Sequence, residues 1–204
     1  MHLRALSHLA PKNDRRHWFN GVWVESLDGF LYLIATNGAA TGVIDAGPTD
    51  AEPFTALIPH SVLAALPKKD AEVTITSDDG KAWQAQAGTT SHRWAMTDEA
   101  LPDWRRAVPA TTTGLAAQYD PALIAAFAKT CETLGHKAIG MRVAHNNAPE
   151  GGGGASLVSI PDTPEFIGVL MSLRYPADTT KAPDWVRRNV RPVPQLAEPE
   201  CDLA

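Results

Sequence analysis

The chain has 204 residues, with 18 lysines and arginines against 23 aspartates and glutamates, and 44% of its residues are hydrophobic. This length and apolar content suit one large domain or two small ones, and they exclude a wholly disordered chain. The sequence has neither the roughly 20-residue apolar run that spans a bilayer nor the apolar stretch of a secretory signal. We therefore expect a cytoplasmic protein, and the net charge of −5, taken alone, argues against a nucleic-acid binder.

The first part of the chain predicts one short helix and three strands. Leu3, Leu6 and Leu9 recur at helical spacing before Pro11, which ends the helix. The turn residues Asp28-Gly29 separate segments that are rich in aromatic and β-branched residues. The predicted strands are residues 18–24, 30–34 and 41–44.

The same pattern of elements occurs twice more. After a loop over residues 47–53, a short helix is predicted over 60–66 with Val62, Leu63 and Leu66 on its apolar face. Asp120 and Pro121 have the pattern of an N-cap and a first helical residue, and this later helix ends near Gly135. The strands predicted after these two helices are residues 72–76, 82–87, 91–96, 138–144, 155–160 and 165–173.

The element pattern indicates an α+β fold in which a short helix and three antiparallel strands occur three times. No catalytic arrangement of residues stands out, and the scattered histidines and two cysteines favour neither a metal site nor a disulfide framework. Cys131 shares a predicted helix face with apolar residues, which favours a core position. We therefore expect a protein that is not an enzyme and that needs no metal or cofactor.

Basic residues occur in or near the predicted helices, whereas acidic residues favour the connections between strands. Such residues are most often the solvated faces of helices, and that interpretation stays open. A segregated positive surface would instead attract a phosphate backbone without reading base sequence. The basic residues concerned are Arg4, Lys12, Arg15, Arg16, Lys68, Lys69, Lys129 and Lys137.

Six segments together carry a resemblance to a known family. They are residues 16–22 (RHWFNGV), 35–38 (ATNG), 57–59 (LIP), 101–109 (LPDWRRAVP), 119–127 (YDPALIAAF) and 169–175 (VLMSLRY). In order and spacing they resemble the bacterial DNA sliding clamp, the beta subunit of DNA polymerase III, over about residues 1–176. The resemblance implies the DNA clamp (processivity) fold, with sheets outside and helices lining a ring.

The resemblance also implies a domain organisation. The family chain has six helix-plus-sheet units in three domains, and its rings contain twelve. This chain resembles a shortened form with three units: residues 1–110 as a clamp domain of two units, residues 111–176 as a third half-domain, and residues 177–204 as a tail rich in proline and charge that is flexible or docked. Four copies would supply twelve units, so we expect a closed head-to-tail homotetrameric ring.

The implied function is that of a processivity factor in DNA replication, a ring that encircles duplex DNA and tethers a polymerase in the cytoplasm, at the nucleoid. The residues implied near DNA are Arg4, Lys12, Arg15, Arg16, His17, Trp18, Lys68, Lys69 and Lys129. The resemblance further implies a docking site for short peptides of polymerases and clamp loaders. The residues implied there are Phe19, Thr36, Gly38, Thr41, Pro102, Arg106, Val169, Met171, Leu173 and Arg174.

Two alternatives stay open from the sequence. The chain could be a truncated clamp homologue that binds the host clamp or its partners without encircling DNA. Met171 and Leu173 could also be alternate residues of an ordinary strand that pack into the core.

Overall fold

Runs of three or four strands follow each α-helix in the computed structural model, which describes residues 1–67, 72–96, 100–109, 117–135, 140–145 and 154–174. The helices are α1 (His2–Leu6), α2 (His60–Ala65) and α3 (Pro121–Thr133), with 3-10 turns at His17–Phe19 and Trp104–Ala107. The strands are β1 (Gly21–Leu27), β2 (Phe30–Thr36), β3 (Ala40–Pro48), β4 (Phe54–Pro59), β5 (Thr74–Ser77), β6 (Ala82–Ala87), β7 (Thr90–Ala95), β8 (Arg142–His145), β9 (Ala155–Ser159) and β10 (Phe166–Met171).

The strands of the described residues form two antiparallel sheets. One has seven strands in the order β4-β1-β2-β3-β10-β9-β8, and the other has three in the order β5-β6-β7. The predicted α+β class is therefore confirmed. Each helix is followed in the chain by a three-stranded meander, namely β1-β2-β3, β5-β6-β7 and β8-β9-β10. We call a helix with its meander a unit.

Local sequence explains where several of these elements begin and turn. Asp28 and Gly29 both have positive φ, 52° and 79°, as the tight turn between β1 and β2 requires. Asp120 caps α3 as predicted, because its carboxylate accepts a hydrogen bond of 2.8 Å from the backbone N–H of Ala122. The predicted boundaries of this hairpin and this helix are therefore correct to within a few residues.

The first and third units share the large sheet through a seam between β3 and β10, where Gly42 lies opposite Gly168. A Cβ on Gly42 would lie 3.0 Å from Cδ2 of Leu6 and closer still to Leu9 of the chain after α1. A Cβ on Gly168 would lie 2.6 Å from Cε1 of Phe127 on α3. The two glycines therefore let both helices approach the sheet closely on one face.

The seven-stranded sheet packs on both faces. Val22 and Val24 of β1 belong to the main core, which contains buried residues of all three helices. Trp23 points to the opposite face, because alternate residues of a strand face opposite sides, and it packs there with Ile34 and Val43. We call these the helix face and the outer face of the sheet. Cys131 is buried in the main core, as predicted.

Three predictions about elements are corrected. Residues 18 and 19, predicted as the start of a strand, belong to the 3-10 turn His17–Phe19, and β3 continues to Pro48 into the predicted loop. The strand β4 was not predicted, although it alternates buried Ala56 and Ile58 with less buried neighbours. Prolines at positions 53 and 59 bound this strand closely, so its sequence pattern is short.

Among the described residues, no helix is long and apolar enough to cross a membrane. The predicted tail, residues 177–204, and the glycine-rich residues 151–153 lie outside the described residues.

Candidate functional site

The exposed basic residues Arg4 and Lys129 come together because α1 and α3 pack against each other. The hydroxyl of Thr130 donates a hydrogen bond of 3.1 Å to the backbone carbonyl of Ala5 in α1. The ring Nε2 of His8, just after α1, lies 3.1 Å from Oγ1 of Thr133. Two polar links thus fix the pair of helices that carries this basic surface.

Two basic residues and one acidic residue act on the His8 ring at this surface. Burial lowers the pKa of His8, and the charges of Lys129 and Arg4 lower it further, while Glu132 opposes the shift. Arg4, His8 and Lys12 also line a groove of about 870 Å³ between α1, α2 and the chain before β5. Glu72 is an acidic residue of the same groove, so the positive charge there is moderate.

The remaining residues predicted near DNA do not join this surface. Arg16 forms an ion pair of 2.8 Å with Asp14, and its guanidinium lies 4.4 Å from the ring centroid of Phe19. Hydrogen bonds from Arg16 lower the pKa of Asp14 to about 2. Trp18 packs against the outer-face cluster, and His17 lines a cavity of about 250 Å³.

The last three members of that predicted set are Arg15, Lys68 and Lys69. Arg15 is exposed, like Lys12, in the chain between α1 and the first 3-10 turn. Lys68 and Lys69 lie outside the described residues. The set predicted from the sequence is therefore divided, with Arg4, Lys12 and Lys129 on the helix side and Arg16, His17 and Trp18 near the outer face.

Residues predicted to bind a partner peptide meet at the seam between β3 and β10. Thr41 lies opposite Val169, and both point away from the helices because their neighbours Gly42 and Gly168 face them. The hydroxyl oxygens of Thr36 and Thr41 lie 2.8 Å apart. The backbone N–H of Met171 donates a 2.9 Å hydrogen bond to the carbonyl of Ala39. The pairing of the two strands thus joins predicted residues from distant parts of the sequence.

Apolar side chains are exposed at one end of this seam. Met171 is 39% exposed and Leu173 is 44% exposed, so the alternative in which they pack into the core is wrong. Arg174 is exposed beside them. The seam therefore ends in an accessible apolar patch of Met171 and Leu173.

Phe19 and Gly38 form one border of the same outer region. Phe19 is buried, and its Cε2 would lie 3.4 Å from a Cβ on Gly38, which has a φ of +88°. The Nη1 atom of Arg16 would be 3.3 Å from the same position. A larger residue than glycine would therefore meet both a strained backbone and a crowded site.

The segment of residues 100–109 crosses the outer face. Leu101 and Trp104 pack against the cluster of Trp23, Ile34 and Val43. Pro102 is half-buried and Arg106 is exposed on this segment. The segment therefore places Pro102 and Arg106 on the outer side of the sheet, the side to which Thr41 and Val169 point.

The contact that holds this segment to the sheet was not predicted from the sequence. We call the interaction of Glu25 with Trp104 and Arg105 the clasp. The carboxylate of Glu25 accepts hydrogen bonds from Nε1 of Trp104 at 3.1 Å and from Nη1 of Arg105 at 2.9 and 3.2 Å. The guanidinium of Arg105 also lies over the rings of Trp104 and Tyr32, 4.2 and 5.2 Å from their centroids. The available signal was Glu25 itself, the one charged residue of a mostly apolar strand.

Comparison with solved structures shows which fold this arrangement has. A DNA polymerase sliding clamp from Pseudomonas aeruginosa, solved with a ligand, matches with a TM-score of 0.62 and 16% identity over 85% of this chain. The DNA polymerase III subunit beta from the same organism matches with a TM-score of 0.62 and 17% identity, and the beta subunit from Thermotoga maritima with 0.61 and 13%, each over 85% of this chain.

The chain therefore has the fold of bacterial sliding clamps, and the resemblance predicted from the sequence is confirmed at the level of the fold. It spans 64% of the two Pseudomonas chains and 63% of the Thermotoga chain. No protein-family model matches the sequence, and no curated protein matches it.

Proposed function

We propose that the chain is a DNA sliding clamp, which encircles duplex DNA without reading its sequence and tethers a polymerase. The observation that carries the proposal is the clamp fold together with the basic surface of α1 and α3 on the helix face. The role requires no catalysis and no cofactor, because a ring retains DNA by its topology.

The charge of the helix face suits sliding. Arg4, Lys12 and Lys129 attract phosphates, whereas Glu72 and Glu132 lie close enough to limit the local field. Strong contact with many phosphates would raise affinity and its salt dependence, and it would slow movement along the duplex. A moderate lining therefore supports loose retention rather than tight binding.

The proposal requires several copies, since the described residues contain three units. Four copies would provide the twelve units of a ring, with the helix faces inward and the outer faces accessible to partners.

For the seam on the outer face we propose the docking of short peptides from a polymerase or a clamp loader. Thr36, Thr41 and Val169 form its floor, and the exposed side chains of Met171 and Leu173 offer apolar contact. Exposed apolar side chains next to buried polar groups are typical of such recognition sites.

Retention on circular DNA tests the first proposal. With a bacterial clamp loader and ATP, the protein should stay on a closed circle and leave once the circle is cut. The double variant Arg4→Ala/Lys129→Ala should be retained several-fold less. The control Lys81→Ala/Arg142→Ala removes two exposed basic residues from strands or their connections, and it should behave as the unchanged protein.

The other results discriminate between functions. Failure to stay on any circle, with the chain folded, would refute encirclement and favour a homologue that binds a host clamp or its partners. Equal retention on cut and closed DNA would show direct binding rather than a topological link. An equal loss of retention in both double variants would show that the basic residues of the helix face have no special role in holding DNA.

A further inference from the structure

The three units use their third strands differently. The strands β3, β7 and β10 occupy the same place, each being the last strand of a meander that follows a helix. In the seam, β3 pairs with β10 in antiparallel register from Ile44 opposite Phe166 to Ala40 opposite Leu170. Equivalent strands that pair in antiparallel fashion are related by a local two-fold axis. The fold thus already contains one junction between two third strands.

The third strand β7 has no such neighbour. It pairs with β6 through register pairs from Thr90 opposite Ala87 to Ala95 opposite Ala82, and no other described strand pairs with it. Proteins commonly protect a free strand edge with a proline, a β-bulge or several charged side chains, because an open edge attracts another strand. The strand β7 has no proline and a regular register with β6, and Arg93 is its one lysine or arginine.

A second observation concerns buried polar atoms on the same strand. Among the described residues, Nε2 of His92 and Nε1 of Trp94 are the buried side-chain nitrogens without a hydrogen-bond partner. An unsatisfied buried group of this kind costs about 1–3 kcal/mol. Both lie on β7, the strand that lacks a neighbour, where an added strand would bring new donors and acceptors.

We propose that β7 pairs in antiparallel fashion with β7 of a second copy of this chain. The two three-stranded sheets then become one continuous sheet of six strands, and the junction repeats the two-fold arrangement of β3 with β10. Copies joined in this way face each other across a two-fold axis, unlike the head-to-tail order expected from the sequence. The proposal deepens the ring proposed above by identifying a contact between its copies, yet it rests on the fold and not on DNA binding.

Cysteine cross-linking tests this contact directly. Ser91, Arg93 and Ala95 are exposed on one face of β7, and each is replaced by cysteine in turn. Cys131 is buried and stays, while Cys201→Ser removes the other cysteine. Around a two-fold axis one of these positions comes close to its own copy, so a short bis-maleimide should convert most of that variant into a covalent dimer.

Thr76→Cys is the matched control, since Thr76 is exposed on β5 at the other free edge of the same small sheet. It should remain uncross-linked. The contact is refuted if none of the three β7 variants forms a dimer, or if Thr76→Cys forms one as efficiently as they do. A cross-linked dimer that is not retained on circular DNA would refute the proposed function and leave the contact intact; retention without cross-linking would do the reverse.

Discussion

Glu25 is the residue whose role is clearest from its contacts. Its side chain is 11% exposed, and its carboxylate accepts hydrogen bonds from both Trp104 and Arg105. The change Glu25→Ala leaves these donors without their acceptor, so we expect the free energy of unfolding to fall by about 1–3 kcal/mol. Urea denaturation followed by circular dichroism measures this loss.

A double-mutant cycle provides the control for this prediction. Arg105→Ala removes the other side of the same interaction, so its effect should not add to that of Glu25→Ala. Additive losses would contradict the clasp, and they would mean that the 100–109 segment is held by apolar contacts of Leu101 and Trp104 alone.

His8 makes stability depend on pH. Its pKa is lowered in the folded protein, mainly by burial and then by Lys129 and Arg4. Below the ordinary value of 6.5 the unfolded chain therefore takes up the proton first, and stability falls as the pH drops through 6.5 toward the lower folded value. His8→Gln should make this loss shallower between pH 7 and pH 5, measured by urea denaturation.

Thr74→Ala, at an exposed position of β5, provides the control, because it removes no titratable group. It should leave the pH dependence of stability as it is in the unchanged protein. A His8→Gln protein with an unaltered pH profile would show that neither burial nor the two nearby cations lower the pKa of this ring.

Gly168 tests the close approach of α3 to the sheet. Gly168→Ala would place a Cβ against Phe127 and Val158, so we expect a loss of stability of about 1–3 kcal/mol from overcrowding. Thr74→Ala, at an exposed position of β5, should change stability by less than about 0.5 kcal/mol. If Gly168→Ala were as stable as that control, the seam would be looser than its geometry indicates.

At the scale of elements, the sequence predicts what local chemistry determines. Asp120 with Pro121 gives the start of α3, and Asp28 with Gly29 gives the first hairpin, because capping and positive φ involve only neighbouring residues. The strand β4 has too few residues between its prolines to show a clear period. The aromatic residues Trp18 and Phe19 favour a strand by propensity, yet the backbone N–H groups of Phe19 and Asn20 donate hydrogen bonds to the carbonyls of Arg16 and His17 and close a turn.

The seam and the clasp could not be predicted in the same way. Pairing of β3 with β10 joins residues more than a hundred positions apart, and nothing in either strand alone specifies the partner. For the candidate sites, the resemblance selected residues of both strands, and the structure brings Thr41 and Val169 together. The resemblance could not show that Arg16 and Arg4 lie on different sides of the sheet, because in the sequence both are basic residues near a predicted helix.

The apolar patch at the end of the seam gives a prediction for peptide docking. A labelled synthetic peptide with leucine and phenylalanine side chains, which match an apolar patch, should bind with a Kd that rises more than about fivefold in Met171→Ala, as expected when an apolar anchor is removed. Phe30→Ala removes an equally exposed apolar residue from the β1–β2 hairpin and should leave the Kd unchanged. Binding is measured by fluorescence polarisation. Equal Kd values for both variants would show that the patch of Met171 and Leu173 is not a peptide-binding site.

For the whole molecule, the total charge and the distribution of charge on the surface lead to different expectations about nucleic-acid binding. The net charge of −5 describes long-range repulsion from nucleic acid, whereas the basic residues of α1 and α3 are concentrated on one face. Light scattering should give about 88 kDa for a four-copy assembly of this 21.9 kDa chain. A mass of one chain at working concentration would refute the ring and the β7 contact together.

The seam has a consequence for the order of events during synthesis. When a ribosome has made the first 110 residues, β3 is complete, but β10 does not yet exist. The edge of β3 therefore stays unpaired until the third unit has been synthesised. Its pairing with β10 is a long-range step of the kind that slows folding. Any chaperone that helps this protein should act in that interval, on an edge that the finished molecule no longer presents.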